Sequence, residues 1–224
     1  METAGHFRAD LQKYYRIEFG GKAPTFWRKA KLWSTHLGLH CVAVYRLSRY
    51  SRALLGRGRF WAAPLFILSE YLAFLVKFLH HVDIFAAEIG PGFYIGHLGT
   101  IYIGKTRIGE NLSVTHNLTI GAGLSGSSPS LPTLGKNVWI GTGSILYGNI
   151  HVGDGVTINC GTVLSRSVPD GCLVGGNPGR IFLGKRDNSR LFGLTGSGAP
   201  AASGEDLESP ENPVPEAAKA GEAR

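Results

Sequence analysis

The sequence predicts a mainly β fold: a parallel β-helix of six-residue repeats, with an α-helical segment ahead of it and a disordered tail behind. Three observations predict it. Aliphatic residues return at every sixth position through the middle of the chain, glycine commonly follows them, and both flanks differ in composition from that middle. The period is neither 3.6 nor 2, so neither an amphipathic helix nor an alternating strand produces it. Short strands and turns of six residues, stacked by parallel pairing at about 4.8 Å, do.

Residues 1–80 read as a helical N-terminal domain. Trp27–Tyr50 and Phe60–His80 are rich in Leu, Ala, Phe and Tyr, and Gly56–Gly58 interrupts between them. Within the second stretch the longest uncharged run is Phe60–Ser69, short of the ~20 residues that span a bilayer. Glu70 and Lys77 fall on one helical face. The plainer reading, preferred here, is a core helix packed against its neighbours. The alternative is an interfacial helix, because Arg46, Arg49, Arg52, Arg57 and Arg59 precede it without an acid.

Residues 81–186 hold the repeats. Leu134, Ile140, Leu146, Val152, Ile158 and Leu164 keep strict register, as do Ile108, Val114 and Ile120, and Ile89, Ile95 and Ile101. Glycine follows the aliphatic residue at 90, 96, 109, 121, 135, 141 and 153, where it is expected to permit the corner dihedrals. The period slips twice. Ile101 to Ile108 is seven residues, a one-residue bulge, and Ile120 to Leu134 is fourteen, two more than two repeats. The excess lies in GAGLSGSSPSLPT, expected to leave the prism as a loop beside a binding site.

Residues 187–224 read as a disordered acidic tail, rich in Gly, Ala, Ser, Pro and Glu, with almost nothing to bury.

The 224 residues, 43% of them hydrophobic, suffice for one sizeable core. Glycine, at 32 residues, shows no triplet period, which excludes collagen. Cys41, Cys160 and Cys172 are odd in number and far apart, which argues against a disulfide scaffold or a cysteine-rich zinc site. The first twenty residues have no apolar core of a secretory signal, so a cytoplasmic protein is expected. The formal charge of +7 is uneven: residues 1–80 carry thirteen Lys/Arg against four Asp/Glu, and 187–224 carry three against seven. No helix-turn-helix, zinc-finger or RNP pattern accompanies the basic part, so no nucleic-acid partner is expected. Weak membrane-surface contact through the basic helices is the other option, with a peripheral place at the inner membrane face.

The pieces YRLSR (45–49), VDIFAAEIGPGFYIGHLG (82–99), LTIG (118–121), NVWIGTGSILYGNIHVGDG (137–155) and VPDGCLVGGNPGRI (168–181) resemble the left-handed β-helix acyltransferases, and among them the serine acetyltransferase-like group. The resemblance covers roughly residues 40–185. It implies a homotrimer, acetyl-CoA as acyl donor in the cleft between neighbouring prisms, and direct transfer to an acceptor hydroxyl without a metal. His97 stands at the family's catalytic position, and a base titrating near neutrality suits the attack of an alcohol on a thioester. Asp83 stands where the family places the carboxylate that orients the histidine, by the logic of hydrolase triads. Between Asp83 and Ile89, however, the chain is one residue shorter than the family pattern, with Phe85 standing for a His-Pro pair. For CoA, the resemblance assigns Thr142, Cys160, Ser165, Arg166 and Arg180, the arginines as phosphate cations.

His116 is the third residue of its frame, as His97 is of its own, one full coil earlier, so both are expected at one corner. His116 is either a stacked corner residue or an acceptor contact, and His151 reads as an exposed turn. Serine acetyltransferases carry an Asp before the histidine and an Arg-His pair in the loop, whereas this chain has Gly96, Ser130 and Leu131. The acceptor is therefore expected to be uncharged, a sugar of a polysaccharide precursor, met by Gly96, Thr115, His116, Asn117, Ser125 and Ser127. The alternatives are a true serine O-acetyltransferase of cysteine biosynthesis and a non-catalytic trimeric scaffold at a membrane. A zinc hydratase on the same prism needs three converging imidazoles, and the closely spaced His pair it uses is absent.

Overall fold

The computed structural model describes residues 2–20, 22–123, 130–184 and 187–192. Four helices come first: α1 (Glu2–Phe19), α2 (Phe26–Thr35), α3 (Leu37–Gly56) and α4 (Ala63–His80). The single apolar stretch Trp27–Tyr50 is broken at His36. Its ring accepts a hydrogen bond from Leu39 N and caps α3, supplying one of the acceptors that a first helical turn lacks. α4 begins with Pro64 in its first turn and ends where His81 turns left-handed at φ 53°.

From Val82 the chain winds as a parallel β-helix whose strands fall in rotation on three faces. The first face holds Val82–Asp83, Ile101–Ile103, Leu118–Gly121, Ile145–Tyr147 and Val163–Leu164, hence about five turns. The second holds Glu88–Ile89, Arg107–Ile108, Thr133–Leu134 and His151–Val152. The third runs from Tyr94–Ile95 through Ser113–Val114, Trp139–Ile140 and Thr157–Ile158 to Leu173–Gly175. It closes with the antiparallel strand Arg180–Phe182. Every parallel strand buries at least one aliphatic side chain in the prism, each worth roughly 1.5–3 kcal/mol.

The pairing corrects the frame in two places. Ile103, not Ile101, stands beside Ile120, so the irregularity of that coil moves back into the turn 96–100. Ile120 and Leu134 are consecutive frame positions, since Ile108 pairs with Leu134 and Ile120 with Leu146, an advance of 26 residues. The coil from Leu146 to Leu164 takes 18. The excursion is thus eight residues rather than two; positions 124–129 within it, with Ser125 and Ser127, lie outside the described residues.

The glycines after the aliphatic residues also have a different reason from the expected one. They lack positive φ; a Cβ on Gly109 would lie 2.6 Å from the carbonyl oxygen of Gly135 in the next coil. Close stacking requires glycine at 90, 109, 135, 141 and 153. The left-handed conformation belongs to residues two positions on, Gly92, Asn111 and Asn137 among them.

The helices cap the open end of the prism. A first coil would otherwise leave backbone groups unpaired. Tyr45 Oη donates to Ala87 O and accepts from Ile89 N, each at 3.0 Å, and Tyr14 Oη accepts from Ile95 N at 3.0 Å. Arg46 donates to Ile89 O and Gly90 O, and grips Asp10 through Nε and Nη2 at 2.7 and 3.1 Å; Asp10 in turn accepts from Phe93 N. Lys13 donates to the carbonyls of Gly92, Asn111 and Leu112 at 2.9–3.0 Å.

Two further expectations change. α4 is not a core helix on all sides: only Ser69, Ala73 and Val76 are buried, and most of its aromatic and aliphatic residues face outward. Residues 187–192, assigned to the tail by composition, are packed. Asn188 donates to Asn137 O and Gly155 O, and Phe192 is buried under the Lys13 ammonium at 4.6 Å. Residues 193–224 lie outside the described residues.

Candidate active site

Parallel stacking aligns every residue with its counterpart one coil away. Ile95, Val114, Ile140, Ile158 and Val174 form one column on the third face. Two residues further on, at the corner, the same register lines up His97, His116, Thr142 and Cys160. Backbone bonds hold the column: Thr142 Oγ1 and Gly143 N donate to His116 O, and Gly161 N donates to Thr142 O at 2.7 Å. The imidazoles of His97 and His116 meet edge to face with centroids 6.2 Å apart. His116 Nδ1 is buried without a hydrogen-bond partner among the described residues. Cys160 is an exposed free thiol. At coil spacings of about 4.8 Å, His97 and Cys160 stand ~14 Å apart along one corner.

The turn bearing His97 is wider than its counterparts. Eight residues separate Ile95 from Ile103, whereas six separate Val114 from Ile120, and those pairs are in register. Gly99 lets the wide turn lie on the coil below, because a Cβ there would stand 2.7 Å from His116 Cβ. His97 is consequently exposed at the edge.

Sequence reasoning missed the other wall. A cavity beside His97 is lined by Gly96, Tyr94 and residues of the helical cap, among them Glu18 and His36. Glu18 accepts from Tyr94 Oη at 3.0 Å and pairs with His36 Nε2 at 3.3 Å. Burial raises the Tyr94 phenol pKa, and Glu18 adds to that. Burial lowers the His36 pKa; Glu18 opposes this, while the nearby His97 reinforces it. Gly96 leaves room for this arrangement, since a Cβ there would lie 3.2 Å from the Tyr94 ring. Gly96, the residue before His97, brings no charge to this cavity, and a carboxylate enters it from α1. A Glu in a helix many residues upstream carries no local motif that would have disclosed it.

The remaining assigned residues are dispersed. Asp83 is corrected: its carboxylate pairs with Lys77 Nζ at 3.1 Å on the first face, and no contact joins it to His97 among the described residues. Ser165 and Arg166 follow Val163–Leu164 and so occupy the corner between first and second faces, exposed, apart from the histidine column. Register places Lys105 in the Arg166 column, a second exposed cation that motif matching passed over. Arg180 lies opposite Gly175 at the far end of the third face. Leu131 lines a separate hollow with Glu88, Lys105 and Arg107. His151 is exposed and shares a hydrogen bond with Thr133. Among the described residues, no three His, Cys, Asp or Glu side chains gather as a metal-binding group.

Comparison with known proteins agrees with this architecture. The family described as bacterial transferase hexapeptide (six repeats) matches residues 132–166. The serine acetyltransferase of Buchnera aphidicola subsp. Schizaphis graminum is 35% identical over 159 residues, covering 69% of this chain and 58% of that protein. That of Bacillus pumilus is 32% identical over 161 residues, covering 70% of each. The chain belongs to the serine acetyltransferase family. It spans less than two thirds of the Buchnera relative and somewhat more of the Bacillus one. A crystal structure of serine acetyltransferase in complex with coenzyme A from Brucella abortus strain S19 superposes with a TM-score of 0.64 at 27% identity. It covers 83% of this chain and 70% of the other.

Proposed function

We propose that this chain is an acetyl-CoA-dependent O-acetyltransferase, cytoplasmic and homotrimeric, with His97 as general base. The observation that carries the reading is the single corner bearing His97, His116, Thr142 and Cys160. His97 takes the proton of the acceptor hydroxyl while its oxygen attacks the acetyl carbonyl. The carbon–sulfur bond then breaks, and the imidazolium returns the proton to the departing sulfur, giving an acetyl ester and free CoA thiol. Thr142 and Cys160 lie along the path from His97 towards the far end of the prism, where Arg180 supplies a cation for phosphate. Ser165 and Arg166 belong to another corner, so a donor lying along the His97 corner of one prism would meet them on a neighbouring prism. That is the argument for the trimer. The serine acetyltransferase structure bearing coenzyme A supports the donor.

For the acceptor we assign a sugar hydroxyl. Gly96, Ser130 and Leu131 bring no charge, and Glu18 is engaged by Tyr94 and His36. The second reading is L-serine, favoured by the names of the relatives and by that same Glu18, a carboxylate able to receive an ammonium. Thiol release from acetyl-CoA separates them. Turnover of nucleotide sugars or oligosaccharides well above that of L-serine supports the first reading. Efficient turnover of serine alone overturns it and selects the second.

A further inference from the structure

α4 is built inside out. Its polar side chains turn towards the protein: Ser69 Oγ shares a 2.8 Å hydrogen bond with Ser51 Oγ, and Glu70 accepts from Ser48 Oγ and Arg52 Nη2 at 2.9 and 2.7 Å. Lys77 pairs with Asp83. The outward side carries Ile67, Tyr71, Phe74 and Phe78, spaced four, three and four apart, with Phe60 and Trp61 at the entry. Phe60 is 81% exposed, Trp61 69%, and Ile67 and Phe78 67%. Single exposed apolar residues need no explanation, but a continuous strip the length of a helix marks an interaction surface.

Charge says what covers it. From Arg46 to Val82 the chain has one acid, Glu70, and Arg52 and Ser48 occupy that carboxylate. Arg57 and Arg59, both exposed, flank the entry, and Lys77, His80 and His81 stand at the other end. Two such helices laid together, in either direction, would set basic ends against basic ends, with Asp83, already bound to Lys77, the one acid beside either end. An anionic surface answers both ends at once. Aromatic rings at the entry suit the headgroup layer. Phe60–His80 is 21 residues long, and an 18-residue window within it has a mean hydropathy of 1.7, which makes it long and apolar enough to cross a bilayer. The inward bonds to Ser48, Ser51, Arg52 and Asp83 nevertheless bind one side of α4 to the protein, which leaves the outward side alone for lipid.

We infer that α4 lies in the plane of an anionic phospholipid interface, its outward strip among the acyl chains and Arg57 and Arg59 on the headgroups. This goes beyond the acetyl-transfer reading and does not depend on it. The test is co-flotation of the full chain with phosphatidylcholine vesicles and with phosphatidylcholine–phosphatidylglycerol vesicles. The protein is expected to float with the mixed vesicles and not with the neutral ones. Arg57→Glu/Arg59→Glu should weaken that binding at least about fivefold, and Ile67→Ser/Phe74→Ser/Phe78→Ser should abolish it. Failure of the unaltered chain to float overturns the inference, as does a triple variant that floats equally well. A triple variant whose sedimenting mass drops also overturns it, because a second copy then covers the strip. Should that variant melt abnormally, quenching of tryptophan fluorescence by brominated lipid decides. Quenching lost in Trp61→Phe supports the interfacial helix, and undiminished quenching refutes it.

Discussion

An imidazole that takes a proton from a hydroxyl must be held in one orientation, and in this protomer the neighbour of His97 is another ring. His116 stands edge to face with it, while the carboxylate of Asp83 is bound to Lys77. Replacing His97 with Ala should therefore lower kcat by a factor of 10² or more, on the order of what a positioned base contributes. CoA affinity and the melting temperature should hardly move, since the ring is exposed and acts in the transition state. His116→Ala should slow turnover less, and Asp83→Asn should change stability by no more than about 1 kcal/mol, the range of a partly exposed pair. Steady-state kinetics and calorimetry on the three variants check this. Loss of activity in His116→Ala with retention in His97→Ala reverses the assignment. A loss in Asp83→Asn equal to that in His97→Ala would restore the dyad, with the aspartate reaching the histidine from a neighbouring prism.

α1 is fastened to the first coil by groups that are costly to bury. Lys13 has no exposed surface, and burial, reinforced by Arg16 against the pull of Asp10, draws its pKa down to about 6 from 10.5. Between those values the unfolded chain binds one more proton than the folded one at this residue, so its contribution makes stability rise with pH from about 6 to 10.5. Below about pH 6 both forms are protonated, and the residue's pH dependence vanishes. Melting temperatures measured from pH 6 to 9 should climb more steeply for the native chain than for Lys13→Met. Equal slopes would show that the ammonium stays charged on its three carbonyls. The turn Ser189–Phe192 covers this lysine, and cutting the chain at its two ends separates composition from packing. Removal of 193–224 should leave the melting temperature unchanged, because that composition has little to bury. Removal of 187–224 should lower stability by about 3–5 kcal/mol, the usual cost of losing a buried Phe. If both truncations melt alike, Phe192 contributes nothing to the cap.

At the scale of the molecule, the prism is a ruler and the helices are its stopper. The ruler sets the distances between groups on one corner; the stopper satisfies the first coil and carries Glu18 into the His97 cavity. Because the assigned donor contacts divide between two corners, a lone protomer should bind CoA weakly and turn over slowly. Sedimentation equilibrium at micromolar concentration is expected to give three times the 24.0 kDa chain mass. A monomer that retains full activity would refute a site shared between prisms.

The recurrence of aliphatic residues was enough to determine the coil, because a six-residue step returns each side chain to the same wall. It also put His97 and His116 on one corner, one coil apart; Thr142 and Cys160 joined that corner only when strand pairing made Ile120 and Leu134 consecutive. Tertiary structure decided what periodicity does not encode. It moved the frame to Ile103 and widened the His97 turn, a choice that depends on pairing with Ile120 rather than on spacing. It gave Asp83 to Lys77, because α4 ends directly above the first strand. It brought Glu18 to Tyr94 across 76 residues, a distance bridged only once the helices dock on the open coil. And it chose which side of α4 faces out. In a helix apolar nearly all round, the few polar groups select the buried side by the partners they find, here Ser51, Arg52 and Ser48, and no hydrophobic pattern along the chain announces that choice.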